Sequence, residues 1–113
     1  MRHELKKIAK MIDELSTFCL EHDADDIQIN IKNLPDKEVI AVTAHHISDI
    51  DKVVNNLRAY LSYPREREME EYYWELTGET DSCEELGLVG AMIDEARIDY
   101  NEEQLYIEVI RNK

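Results

Sequence analysis

The chain has 113 residues, 43% of them hydrophobic, with 26 acidic against 13 basic side chains and a formal charge of −13. Such a length supports one ordinary hydrophobic core, and such a composition belongs to a folded rather than a disordered chain. The acidic balance argues against nucleic acid and anionic membranes as partners, because no Lys/Arg cluster is large enough to offset the repulsion locally.

In chain order, Leu5, Ile8, Ile12, Leu15 and Cys19 follow the three-four spacing of one helical face, which predicts an amphipathic helix over about residues 3–22. Ile27, Ile29 and Ile31 then alternate with Gln28, Asn30 and Lys32, the period of a half-buried strand, and Leu34, Pro35, Asp36 and Lys37 supply a turn. The returning strand, 39–44, is apolar at nearly every position and is expected to be more central than the first. Ser48 and Asp51 read as a capping pair for a second helix marked by Ile47, Ile50, Val54, Leu57 and Leu61, ending before Pro64. Pro64 opens a third helix over 65–76, closed at Gly78, and Ser82 with Glu85 reads as a capping box for a fourth. The inward face of that fourth helix is expected to be Leu86, Val89, Ile93 and Ala96, with Gly87, Gly90 and Ala91 allowing close approach. Residues 97–100 and 105–110 form a second hairpin around Asn101, Glu102 and Glu103, with Leu105, Ile107 and Val109 on one face. The expected fold is therefore a single α+β domain over 1–113, a two-layer sandwich of a four-stranded, mainly antiparallel sheet with helices on one face.

Cys19 and Cys83 lie in helix-like patterns without paired spacing, as small core residues of a reduced compartment would. The charged start at Arg2, His3, Glu4, Lys6 and Lys7 lacks the apolar region of a signal peptide, and no stretch approaches the roughly 20 apolar residues of a membrane span. A cytoplasmic protein with no membrane insertion is expected.

Two motifs carry a family resemblance. Leu86-Gly87-Leu88-Val89 is a glycine-bearing helix start, and residues 13–22, Asp-Glu-Leu-Ser-Thr-Phe-Cys-Leu-Glu-His, place a Glu four residues before Phe18 and end on a His. With the element order, these resemble the Bergerat-fold (GHKL-type) ATP-binding domains of sensor histidine kinases and anti-sigma-factor kinases, over most of the chain from about residue 7 to 110. The resemblance implies a histidine-kinase-like fold and a nucleotide pocket bordered by Met11, Glu14, Phe18, Ala44, His45, Glu85, Leu86 and Gly87. In the family pattern Glu14 matches the motif's Glu, but Phe18 stands at the position of a Mg²⁺-holding Asn and offers no oxygen to a hard cation. Cys83 and Glu85 stand where the two earlier glycines of the phosphate-binding run would be. After Ala44, where the family has an adenine-binding Asp and a Gly-containing turn, the chain has His45-His46-Ile47-Ser48-Asp49, and Asp49 reads as a helix-start residue.

Metal, base and phosphate contacts are thus all altered, which points to a degenerate site with no cofactor, no metal and no catalytic residue. His45 and His46, with His22 and His3, lack the spacing of a zinc site, since neighbours on a strand point to opposite sides. Tyr72, Tyr73 and Trp74 span about 200° of a helix and cannot all enter one core, so together with Met69 they mark a partner or self-association surface on the 65–77 helix. The leading expectation is a non-catalytic regulatory, protein-interaction module. Two alternatives are a kinase-like domain that binds ATP and Mg²⁺ with Glu14 as its catalytic residue, and a small α+β domain holding an apolar ligand near Met11 and Phe18.

Overall fold

A computed structural model of the chain describes residues 4–62 and 85–113. The helix expected over 65–76, with Met69, Tyr72, Tyr73 and Trp74, lies outside the described residues, as do Gly78, Ser82, Cys83 and the side chain of Glu85. The described elements run α1 (Glu4–Glu21), β1 (Asp26–Asn33), β2 (Lys37–His45), α2 (Ile50–Leu61), α3 (Glu85–Met92), β3 (Glu95–Tyr100) and β4 (Gln104–Asn112). The strands form one sheet in the order β1-β2-β4-β3, every pair antiparallel. Helices lie on one face of it, giving a two-layer α+β sandwich.

Strand periodicity decides which face is covered. On β2, Glu38, Ile40, Val42 and Ala44 are buried while the residues between them are half-buried, and on β4 Leu105, Ile107 and Val109 point the same way. The apolar run 39–44 does occupy a central strand, flanked by β1 and β4. α1 rests on β2 and α3, and α2 rests on α3 and β3, so α3 lies between the other two helices. One core of buried side chains from all three helices and both inner strands joins the layers. Each fully buried Leu, Ile or Met in it contributes roughly 1.5–3 kcal/mol relative to exposure.

Three local expectations are corrected. The buried stripe of α1 is Ile8, Met11, Leu15, Phe18 and Cys19, whereas Leu5 is 84% exposed. The Arg111 guanidinium holds Glu4 through bonds of 2.8 and 3.1 Å, and with residue 4 drawn towards β4 its neighbour is turned about 100° away. Ser48 does not cap α2: its hydroxyl donates to Asp23 at 2.7 Å, and the N-cap residue, Asp49, makes no side-chain capping bond. α3 ends at Met92, so Ala96 belongs to β3, where the ladder to β4 begins once the Asp94 N–H donates to Ile110 O at 2.8 Å. The close approach expected of α3 is present at Gly90, where an added Cβ would lie 2.4 Å from the Tyr60 carbonyl oxygen of α2.

Candidate functional site

The residues that the family resemblance assigns to a nucleotide pocket come from α1, the end of β2 and the start of α3. Met11, Phe18, Ala44 and Leu86 are buried and belong to the same core cluster, Phe18 at 3% exposure. Met11 and Phe18 therefore sit in the centre of the buried α1 stripe. The Phe18 ring meets His22 edge-on, with centroids 4.7 Å apart, at the end of the same helix. Glu14 is buried beside them, and Lys10 reaches it at 2.7 Å one turn earlier in the helix. His45 and Gly87 are half-buried. The arrangement is apolar packing closed on one side by an ion pair. Cys19 is buried in the same stripe, and burial pushes its thiol up to about 12, which makes it a poor nucleophile at neutral pH.

A second cluster, unforeseen in the sequence, lies where α1, α3 and the sheet meet. Arg111, 4% exposed on β4, donates to both Glu4 oxygens and to the Met92 carbonyl at 2.6 Å, so one guanidinium ties the start of α1 and the end of α3 to β4. Those bonds hold the Glu4 carboxyl down at about 2. Glu38, buried on β2 across the ladder from Arg111, is pushed up to about 7 by burial and by the hydrogen bond and charge of Glu4. One Glu38 oxygen has no hydrogen-bond partner among the described residues.

A third cluster joins the loops before β1 and after β2. Asp23, His46 and Asp49 all take positive φ, at 73°, 65° and 50°. The turn after Ala44, where the family pattern has a glycine, adopts left-handed backbone with ordinary side chains instead, and local bonds hold it. His46 Nδ1 meets the Asp25 carboxylate at 2.9 Å, the His46 backbone N–H donates to Glu103 O at 2.9 Å, and the Ser48 backbone N–H donates to His22 O at 3.0 Å. The Asp25 carboxylate raises the His46 pKa. Asp49 is committed to the start of α2, where its carbonyl accepts from the Val53 N–H. Among the described residues no group of three or more His, Cys, Asp or Glu side chains is arranged to hold a metal ion. No helix among them is long and apolar enough to cross a membrane.

The chain matches no protein-family model, no curated protein and no solved structure.

Proposed function

We propose that this domain is a non-catalytic regulatory module on a histidine-kinase-type ATP-binding fold, acting in the cytoplasm by binding protein rather than nucleotide or nucleic acid. The observation that carries the reading is the burial of Phe18 with Met11, Ala44 and Leu86 in one continuous core, at the positions where the resemblance would put metal and nucleotide. An aromatic ring cannot stand in for an oxygen ligand to Mg²⁺, and Glu14 is engaged by Lys10. The Met69, Tyr72, Tyr73 and Trp74 run supplies the aromatic chemistry usual in protein contacts.

Thermal unfolding in the presence of ATP, ADP and Mg²⁺ tests this. A ligand at about 100 times its dissociation constant stabilises a folded domain by about 2.7 kcal/mol. The expected result is an unchanged melting temperature at millimolar nucleotide. A saturable rise of several degrees would overturn the reading in favour of an ATP- and Mg²⁺-dependent kinase domain with Glu14 at its centre.

A further inference from the structure

We propose that two copies of this chain associate through β1, pairing antiparallel about a two-fold axis at Ile29 to make one continuous sheet of eight strands from two sheets of four. β1 is an edge strand eight residues long, with no strand on its outer side among the described residues. Its register with β2 sets Ile27, Ile29 and Ile31 opposite Ala44, Val42 and Ile40, on the helix-bearing face. Yet Ile29 and Ile31 are 38% and 48% exposed, whereas the residues opposite them are buried. An exposed, alternating, isoleucine-rich edge is what another strand can extend.

Backbone parity and side-chain pattern select a second copy as the occupant. The Leu34 N–H donates to Lys37 O at 2.8 Å, so by alternation Lys32, Asn30 and Gln28 turn their backbone groups to β2. Ile27, Ile29 and Ile31 then offer theirs to the free edge. Pairing Ile29 with Ile29 of the second copy joins these outward groups. It sets Ile27 against Ile31 and Gln28 against Asn30, and at both ends it brings Asp26 to Lys32 of the other copy. Apolar residues meet on the helix side, amides meet on the opposite side, and the end charges are opposite. Shifting the register by two residues one way sets Ile27 against Asn33, and the other way sets Ile31 against Asp25, while a one-residue shift breaks the hydrogen-bond parity. The two-fold axis runs perpendicular to the sheet, so the helices of both copies stand on one face of the joined sheet. The pairing concerns a different surface from the 65–77 helix and stands independently of the histidine-kinase-type reading.

Sedimentation equilibrium of the full chain tests the proposal. A single strand-to-strand interface is small, so the expected dissociation constant is about 100 µM, read between roughly 5 µM and 1 mM. Ile29→Lys places like charges at the axis and should weaken association at least about tenfold. Because the side chain is solvent-accessible, its circular dichroism and melting temperature in dilute solution should match the parent. Asp26→Lys should weaken the dimer about threefold to tenfold, and the double exchange Asp26→Lys with Lys32→Asp should restore it. A chain that remains monomeric at about 1 mM overturns the proposal. So does a dimer that tolerates Ile29→Lys but is lost with Trp74→Ala, which would place self-association on the 65–77 helix.

Discussion

The two edges of the sheet are finished differently. β3 is six residues long, its inward Ala96, Ile98 and Tyr100 pack against the core under α2, and the Tyr100 hydroxyl donates to Asp51 of that helix at 3.0 Å. Its Tyr100 N–H is met by the Asp99 side chain at 2.9 Å. β1 is longer, and of its three inward isoleucines Ile29 and Ile31 stand exposed. A helix can finish an edge only where it is held down. α2 is held by its close crossing with α3 at Gly90 and by the Asp51 contact, whereas α1 rests on β2 and α3, one strand inward of β1.

The largest expected effect comes from the residue that ties α1 and α3 to β4. Arg111→Met removes the guanidinium that binds half-buried Glu4 and the Met92 carbonyl and faces buried Glu38, and should destabilise the fold by about 3–5 kcal/mol, read as a shift of the urea midpoint. Gly90→Ala attacks the covered edge alone, since its Cβ would collide with the Tyr60 carbonyl. It should lower stability by about 2–3 kcal/mol and speed amide exchange in β3 more than in β1. A matched pair of substitutions sharpens the contrast: Ile98→Ser on β3 should lower stability by about 2 kcal/mol, and Ile31→Ser on β1 by about 0.5 kcal/mol or less, in dilute solution. Equal losses would erase the distinction between the edges.

A smaller effect than the loss of Arg111 is a pH dependence arising at the Arg111 cluster. Glu38 is raised to about 7 from the ordinary value of 4.5, so the unfolded chain releases this proton first and stability falls as pH rises from 4.5 through 7. Glu4 is lowered to about 2, so its contribution is complete above 4.5 and is lost as pH falls towards 2. The cluster therefore favours the folded state most near pH 4.5 to 5. Glu38→Gln should abolish the decline on the alkaline side, an effect on the order of 1 kcal/mol, measured by denaturation at a series of pH values.

The central place of β2 and the inward face of β4 could be read directly from the run 39–44 and from the alternation at Leu105, Ile107 and Val109, because burial on a strand follows a period of two. α1 was legible as a helix but its face was rotated: Met11 and Phe18 form as regular a stripe with Leu15 as Leu5 does with Ile8 and Ile12, and the choice depends on Arg111, 107 positions from Glu4. Apolar spacing carries no trace of such a partner. The bare face of β1 was hidden for a similar reason, since Ile27, Ile29 and Ile31 alternate as a covered strand would. The left-handed residues Asp23, His46 and Asp49 gave one weak signal, in that Asp and His tolerate positive φ better than most side chains. The burial of Met11, Phe18, Ala44 and Leu86 follows from their apolar character, and Glu14 enters among them with Lys10 paired to it from one turn away.

Residue-resolved amide exchange along β1 at low protein concentration tests most directly the claim that this edge is where the fold remains open. The account predicts a period of two, with Gln28, Asn30 and Lys32 protected by β2 and Ile27, Ile29 and Ile31 exchanging freely, the latter three gaining protection as concentration rises. Protection of all six amides in the dilute monomer would contradict it, because the outer side of β1 would then already be paired within the chain.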